Sequence, residues 1–460
     1  MTWLPRRRII LSLTTGLLTA CTAETFSPPV ADHFEVVQGA GQTGTPGWIL
    51  DSLVVVRLLD DRGAPIVGTE VSWQVGAGSG SITHSSAVTG VDGLAVASWK
   101  LGLPITDQRL RISALGVDPI TVSAEQRVLA LTRIGTGTSF GCGIDENGVT
   151  WCWGDNWGGT AGEADEVSVP RPVAIAPDSA HYVELALGDF HACGRSATGE
   201  VGCWGMYWNG ALGTGASGAT WGPGTSTPVR PVGLPPVTSI VSADDVTCGP
   251  TAAGVLWCWG NAGGILASLV PTIAFPGTTF SRVALGSGHG CGISTGGQVL
   301  CWGSNVSGQL GNGTIGGSSA IPQPIAGAFT ARAIASGDNG ACAITTSSEL
   351  YCWGLIFGID GHFHDDPARG LPSRSFQDGS VRAVTLGGWC GAVWRGPGSP
   401  RMLCNGWVND IETLPAIAEA QFGPEDVCLR SGTGAVYCKS YSDQSSPPFF
   451  DREGTAIPAP

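Results

Sequence analysis

The spacing of the cysteines constrains this chain more than any other feature of its sequence. Fourteen of its 15 cysteines fall into seven consecutive pairs, and six of these pairs share a separation of ten residues. The pairs are Cys142/Cys152, Cys193/Cys203, Cys248/Cys258, Cys291/Cys301, Cys342/Cys352, Cys390/Cys404 and Cys428/Cys438. Self-similarity at a period of roughly 40 to 55 residues is typical of propellers and solenoids. Seven pairs therefore predict seven repeated units.

Each ten-residue pair predicts a β-hairpin with a disulfide across it. The residue after the midpoint is glycine in five of the six pairs, as at Gly148 and Gly199. A three-residue hairpin loop ends in the left-handed region, which glycine occupies without steric cost. Opposite residues of antiparallel strands lie roughly 4.5 to 5.5 Å apart at Cα, within disulfide range. We predict seven disulfides, each worth about 2 to 4 kcal/mol.

The cysteines do not have the spacing of a metal site. The sequence contains no Cys-x-x-Cys motif and no ordered set of cysteine and histidine, which structural zinc sites require. We therefore predict neither a metal nor a cofactor.

A tryptophan and a glycine follow the second cysteine in five units, as in Cys152-Trp153-Gly154. Neighbouring strand residues point to opposite faces, so the disulfide can fill one interface between units while the indole fills the other. A proline-containing strand then follows, as at Pro322–Ile325, and proline suits an outer edge strand. The pattern predicts an all-β fold with a seven-bladed β-propeller over residues 128–460.

The fourth unit resembles the repeat of the regulator of chromosome condensation family, in its secreted bacterial form. The matching segments are Val283–Cys291, Cys301–Asn305 and Gly308–Gly311. The resemblance extends from about Leu129 to the C terminus and is weaker in the sixth and seventh units. It implies a propeller, and we expect the tail from Pro447 to Ile457 to contribute to ring closure.

The first residues have the three parts of a bacterial lipoprotein signal peptide. A basic segment, Arg6–Arg8, precedes an apolar segment, Ile9–Leu18, and the tetrapeptide ending at Cys21 resembles a lipobox. We expect residues 1–20 to be removed, Cys21 to carry the lipid and residues 21–29 to form a linker. The remaining fourteen cysteines suit an oxidising compartment. This predicts an exported lipoprotein, anchored to a membrane of the bacterial cell envelope on its periplasmic or cell-surface face.

Residues 30–127 contain no cysteine and predict a separate β-sandwich. Short strand candidates alternate there with turn signals. The segments Asp60–Ile66, Val71–Trp73, Asp92–Ala95 and Trp99–Gly102 resemble bacterial Ig-like domains of the invasin and intimin type. The resemblance implies a spacer or an adhesive module between the anchor and the propeller.

The sequence favours binding over catalysis. No nucleophile, acid or base forms a recognisable catalytic set, and the net charge of -14 argues against a nucleic-acid partner. We predict a monomeric, non-enzymatic scaffold for a protein or glycan. The candidate binding residues are Trp157, Trp208 and Trp221, loop aromatics that the repeat does not require.

Two alternative functions remain open. The family resemblance implies guanine nucleotide exchange, the activity associated with the family's eukaryotic founder. An envelope enzyme acting on glycans would need acidic or histidine side chains that converge on one face of the propeller.

Overall fold

The computed structural model defines most of the chain between residues 29 and 440. The described ranges are 29–44, 49–102, 108–126, 129–164, 167–175, 181–217, 224–261, 267–356, 370–376, 381–387, 390–394, 401–404, 407–409, 417–423, 426–432, 434 and 436–440. Within these ranges the regular structure is β-sheet, apart from a 3-10 turn at Trp157–Gly159. None of the described residues forms a helix that could span a membrane.

The strands before residue 127 form two four-stranded sheets. In spatial order, the first sheet contains β1 (His33–Gln38), β3 (Val54–Leu59), β6 (Leu94–Lys100) and β5 (Ser81–Ser85). The second contains β2 (Gln42–Gly44), β8 (Ile120–Gln126), β7 (Gln108–Ser113) and β4 (Ser72–Val75). Strands β2 and β8 are parallel, while the other neighbours are antiparallel.

A single core joins these two sheets. Burial alternates along β3, so Val54 and Val56 point inwards, and they share a cluster with Trp99 of β6 and with Leu110 and Ile112 of β7. Two sheets that bury one face each against a common core form a β-sandwich. The assignment of this sandwich to the Ig-like class stays a prediction.

The strands after residue 129 form seven consecutive antiparallel sheets in the described part of the chain. The first three are β9 (Leu131–Thr136), β10 (Phe140–Asp145), β11 (Thr150–Asp155), β12 (Ser168–Ala174); β13 (Tyr182–Leu187), β14 (His191–Ser196), β15 (Val201–Gly205), β16 (Thr225–Val229); and β17 (Val241–Ala243), β18 (Asp245–Pro250), β19 (Leu256–Asn261), β20 (Ala267–Ile273). The next three are β21 (Phe280–Gly286), β22 (His289–Ser294), β23 (Val299–Ser304), β24 (Ser318–Pro324); β25 (Ala331–Ser336), β26 (Gly340–Thr345), β27 (Leu350–Gly354), β28 (Ser373–Phe376); and β29 (Ala383–Leu386), β30 (Cys390–Trp394), β31 (Arg401–Cys404), β32 (Trp407–Asn409). The seventh contains β33 (Ile417–Phe422), β34 (Asp426–Ser431) and β35 (Val436–Ser440).

The paired cysteines lie directly opposite each other on the second and third strands of their sheets. Cys390 also lies opposite Cys404 in the backbone register, but the side chains of this pair fall outside the described part. The backbone φ is +80° at Gly148 and +67° at Ser348, the one such position without glycine. The hairpin geometry that the spacing predicts is therefore present. The six pairs with a disulfide in the described residues are Cys142–Cys152, Cys193–Cys203, Cys248–Cys258, Cys291–Cys301, Cys342–Cys352 and Cys428–Cys438.

The strand pairing around Cys258 differs from regular antiparallel geometry in two respects: the Cα spacing of the cysteine pair and the register of the outer strand. Its Cα lies 4.1 Å from that of Cys248, slightly below the roughly 4.5 Å that is typical of the narrow antiparallel pair, in which the two residues exchange no backbone hydrogen bonds. The third and fourth strands of this sheet also fall out of register between Cys258 and Gly260. Pro271 lies in the facing stretch and has no N–H for the ladder. The predicted disulfide is present, whereas this irregularity was not predicted.

Five of the six disulfides in the described residues pack with a tryptophan of the next sheet around the ring, whereas Cys342–Cys352 packs with aliphatic residues such as Val393. The Cys193–Cys203 disulfide packs with Trp259 of the third sheet, and Trp259 donates its indole N–H to the carbonyl of Ala211, 2.9 Å away. The same arrangement continues from the seventh sheet to the first, where Cys428 packs with Trp153. In the five sheets with a Cys-Trp pair, the disulfide and the indole therefore occupy opposite faces of the third strand, as the alternation predicts.

The seventh sheet closes on the first through its innermost strands. Strands β33 and β34 contact β9, and a Cβ added to Gly423 would overlap the carbonyl of Gly137. The tail from Pro447 to Ile457, which the sequence predicts to contribute to ring closure, lies outside the described residues.

Candidate binding face of the propeller

The innermost strands of the seven sheets surround a central channel. The channel has a volume of about 370 Å³, and β9, β13, β17, β21, β25, β29 and β33 all contribute to its wall. Glycine and aliphatic residues such as Gly135 and Leu185 form most of this wall. Because successive strands of each sheet are antiparallel, the loop after the first strand and the loop after the third strand lie at the same end of the sheet. We call this end of the ring the mouth face.

A collar of glycines narrows the channel at the mouth face. Six of the seven innermost strands lead into a glycine, namely Gly137, Gly188, Gly286, Gly337, Gly387 and Gly423. A Cβ added to Gly188 would overlap the carbonyl of Asp244 in the next sheet. Only glycine lets the backbones of adjacent sheets approach this closely.

Four aspartates gather around this collar. Asp189, Asp244 and Asp338 follow the innermost strands of the second, third and fifth sheets and line the channel, and Asp245 adjoins Asp244. Burial raises the pKa of Asp189 to about 6, and the charges of Asp244, Asp245 and Asp338 add to this effect. Burial also raises the pKa of each of the other three carboxyls. The mouth therefore concentrates negative charge in a poorly solvated place.

Hydrogen bonds between sheets hold these carboxylates. Thr138 of the first sheet donates its hydroxyl to Asp189 at 3.2 Å, and the amide of Gly288 in the fourth sheet donates to Asp244 at 3.1 Å. Asn209 of the second sheet donates its side-chain amide to Asp245 at 2.8 Å. Since a neighbouring sheet fixes three of the four carboxylates, the packing of the sheets around the channel positions the cluster.

Aromatic side chains border the acidic cluster. Phe190 follows Asp189 directly, and its ring meets the indole of Trp208 edge to face, with centroids 6.1 Å apart. Trp208 is half-buried, whereas Trp157, in the corresponding loop of the first sheet, has 45% of its surface exposed. Two of the three predicted aromatic residues therefore lie on the mouth face. Trp221 and the predicted lipid site Cys21 lie outside the described residues.

Two buried histidines lie beneath the collar. His191 and His289 begin the second strands of their sheets and are completely buried. His191 Nε2 lies 2.7 Å from the hydroxyl of Thr247 in the third sheet. Burial lowers the pKa of both imidazoles to about 4, so they are neutral near pH 7 and act as packing groups.

The acidic cluster was not predicted from the sequence. Its only local signal is the Gly-Asp pair at Gly188-Asp189 and Gly337-Asp338. In the described part of the chain, no group of three or more histidine, cysteine, aspartate or glutamate side chains has the arrangement of a metal site. The carboxylates of the cluster are spread around the collar, where their negative charges could bind a cationic group.

Comparison with known proteins identifies the repeat. The description "Regulator of chromosome condensation (RCC1) repeat" matches residues 296–344 in one family profile and residues 280–309 in a second. The RCC1 domain-containing protein RUG3 of Arabidopsis thaliana is 29% identical over 229 residues, which are 46% of this chain and 51% of that protein. The chain thus spans about half the length of this relative.

Solved structures share the propeller fold. The crystal structure of human WBSCR16 aligns with a TM-score of 0.57 at 14% identity, over 77% of this chain and 97% of that one. Prp20p of Saccharomyces cerevisiae, a protein with binding properties to Gsp1p and histones, aligns with a TM-score of 0.55 at 19% identity, over 72% and 87% respectively. At these identities the likeness concerns the fold alone.

Fold and site together define an all-β protein whose propeller carries an acidic, aromatic-bordered mouth face. Residues 280–344 within this propeller match the regulator of chromosome condensation (RCC1) repeat family.

Proposed function

We propose that this chain is a non-catalytic scaffold whose mouth face binds a protein partner through lysine or arginine side chains. One observation carries the proposal: four carboxylates with raised pKa values lie beside an aromatic pair on one face of a rigid ring. A cation at the collar would relieve the mutual repulsion of the carboxylates. Phe190 and Trp208 would cover the aliphatic stem of the cationic side chain.

The N-terminal part of the proposal concerns placement of the propeller. We propose that Cys21 carries a lipid in the bacterial cell envelope, and that the sandwich is an Ig-like spacer holding a closed seven-bladed ring away from the membrane. The signal-like residues 1–20 support the anchor. The position of the sandwich between these residues and the propeller supports the spacer. The protein would function there as a monomer, without a nucleic-acid partner.

Binding to defined peptides tests the mouth face. We expect a lysine-rich peptide to bind the purified protein and a glutamate-rich peptide of equal length to fail. The affinity should fall as salt rises, because screening weakens exposed charge pairs. It should also fall as the pH drops below about 6, where Asp189 takes up a proton. Surface plasmon resonance at several salt concentrations and pH values measures both dependences.

Two matched variants test whether the affinity for the lysine-rich peptide depends on the acidic cluster. The triple change Asp244→Asn, Asp245→Asn and Asp338→Asn should weaken binding of the lysine-rich peptide at least tenfold. A loss of this size corresponds to about one buried charge interaction. The control, Glu146→Gln with Glu200→Gln, removes charge from hairpin turns at the opposite end of the sheets and should leave the affinity unchanged. An equal loss of peptide affinity in the triple variant and in the control would contradict the proposal. Binding of a neutral glycan that ignores salt and the triple change would instead favour a glycan partner.

A further inference from the structure

The strands of the β-sandwich place three of their connections at one end. Strands β3, β5 and β7 end there and β4, β6 and β8 begin there, because these neighbours run antiparallel. The three connections are residues 60–71, 86–93 and 114–119. Strand β1 also begins at this end, since His33 lies opposite Leu59. We call it the entry end, because the chain enters the sandwich there.

Each of the three connections carries an exposed apolar side chain. Val67 in the first is 57% exposed, Val91 in the second is 80% exposed and Leu115 in the third is 96% exposed. Ile49 and Leu53, which lie towards the opposite end, are each 46% exposed. A single exposed apolar residue is ordinary, whereas several that gather at one end of a domain indicate a contact with a protein or a membrane.

Hydrogen bonds hold these apolar side chains in place. The N–H of Gly68 donates to the carbonyl of Thr89 at 2.9 Å, and the hydroxyl of Thr89 donates to the carbonyl of Ile66 at 2.6 Å. These two bonds join the first connection to the second. In the third, the N–H of Val117 donates across the turn that carries Leu115, at 3.3 Å. Ile66 and Val117 belong to the core of the sandwich, so a partner would meet a preformed surface and little order would have to be created on binding.

The entry end is also the part of the sandwich closest along the chain to the proposed lipid site. Residue 29, the first that the structure describes, follows Cys21 by eight residues, which span at most about 29 Å when fully extended. The chain leaves the sandwich at the opposite end, where β8 ends at Gln126. A membrane that holds Cys21 would therefore lie within about 30 Å of the entry end.

We propose that Val67, Val91 and Leu115 insert into the interface of the lipid membrane that holds the anchor. The inference rests on the proposed lipidation of Cys21. Transfer of apolar side chains from water to the membrane interface is favourable, and a second contact with the surface adds to the hold of a lipid anchor. The contact also restricts the tilt of the sandwich, which attachment at one point leaves free.

The charges of the entry end determine which lipids suit this contact. Asp61, Asp92 and Asp118 are exposed on the same three connections, which contain one arginine, Arg62, and no lysine. Anionic head groups would repel this excess of carboxylates. The entry end therefore suits zwitterionic lipids such as phosphatidylcholine.

Flotation with vesicles tests the contact apart from the anchor. The chain from residue 22 onwards contains every described residue and lacks the signal-like segment and the lipid site. We expect it to float with phosphatidylcholine vesicles at millimolar lipid and to float less with vesicles of phosphatidylglycerol. Failure to bind phosphatidylcholine overturns the proposal. Stronger binding to phosphatidylglycerol also overturns it, because it would assign the contact to a basic surface.

Two double variants locate the contact. Val91→Ser with Leu115→Ser should lower the partition coefficient for phosphatidylcholine by about tenfold or more, the effect of losing one buried apolar side chain from the membrane. Ile49→Ser with Leu53→Ser, the control towards the opposite end, should leave this coefficient unchanged. All four side chains are exposed, so both variants should melt at the temperature of the unmodified protein. An equal loss of vesicle binding in the two variants refutes the proposal.

Amide hydrogen exchange in the unmodified protein provides a readout that needs no substitution. Phosphatidylcholine vesicles should slow exchange at Val91 and Leu115 and leave Leu53 unchanged. Unaltered exchange at Val91 and Leu115 on the vesicles refutes the contact. A dimer that forms without vesicles and dissociates in Val91→Ser with Leu115→Ser assigns the entry end to a second copy, which also refutes it.

Labelling of the full chain with a radioactive fatty acid tests the anchor separately. A label that is lost in Cys21→Ala supports the lipid site of the proposed function. Vesicle binding by the chain from residue 22 without such a label upholds the membrane contact and removes the anchor. A label on Cys21 without vesicle binding upholds the anchor and removes the membrane contact.

Discussion

Single side chains at the mouth of the channel couple stability to pH. The folded-state pKa of Asp189 is raised from 3.8 to about 6, so the folded state binds a proton more readily than the unfolded chain between these values. Ionisation of Asp189 therefore removes stability as the pH rises through this window, by up to about 3 kcal/mol. We expect Asp189→Asn, which keeps an acceptor for Thr138, to raise the melting temperature at about pH 7 and to have little effect near pH 4.

Melting curves from about pH 4 to pH 8 check this expectation. Glu200→Gln, a change at an exposed turn, serves as the control and should follow the unmodified protein. A constant difference between Asp189→Asn and the unmodified protein at every pH would contradict a titrating carboxyl.

The buried histidines change stability with pH in the direction opposite to Asp189. The folded-state pKa of His191 is lowered from 6.5 to about 4. Its contribution to the free energy of unfolding is therefore fully present above pH 6.5 and is lost as the pH falls from there through about 4. The loss amounts to about 3 kcal/mol. We expect His191→Phe, which copies Phe140 of the first sheet, to make stability less sensitive to acid.

Chemical unfolding at about pH 7 and pH 4.5 measures the acid sensitivity of His191→Phe. Thr247 keeps a partner in the variant, because it also bonds with Ser242 at 2.8 Å. An undiminished loss of stability at the lower pH would show that His191 does not cause it.

Among single residues, the sequence predicted the hairpin disulfides but not the acidic cluster. Gly148 and the ten-residue spacing of Cys142 and Cys152 are local features, so they predicted the hairpin and its disulfide correctly. Asp189 and Asp244 stand far apart in sequence, and the corresponding positions elsewhere hold residues such as Thr138. Only closure of the ring brings these carboxylates together, so no local pattern could reveal them.

At the scale of elements, buried indoles join the second to fifth sheets to the sheet before each of them. Trp259 is fully buried and bonds the carbonyl of Ala211. Trp259→Phe keeps an aromatic ring but leaves that carbonyl without its donor, so we expect a loss of about 1 to 3 kcal/mol. Equilibrium unfolding in urea provides the measurement.

Trp157→Phe is the matched control for this indole. Trp157 has 45% of its surface exposed, and changes at such positions usually alter stability by less than about 0.5 kcal/mol. Equal losses in the two variants would show that the buried hydrogen bond contributes nothing particular.

At the scale of the whole molecule, the two β regions should respond differently to reduction. The sandwich over residues 30–127 has no cysteine and has its own core, whereas each propeller disulfide closes a short loop worth about 2 to 4 kcal/mol. We expect two calorimetric transitions, of which a thiol reductant lowers only the one that belongs to the propeller.

The isolated segment 30–127 identifies the transition of the sandwich. It should melt at the same temperature with and without the reductant. A single transition in the full chain, or two that shift equally, would contradict independent cores.

The consecutive order of the cysteine pairs also bears on how the protein matures. Every observed disulfide joins a cysteine to the next one along the chain. Once Cys21 carries the proposed lipid, an oxidase that links the remaining thiols in the order in which they emerge during synthesis or translocation would produce the observed pairs directly. We therefore expect these six pairs to form without an isomerase, since the order of emergence would specify each partner.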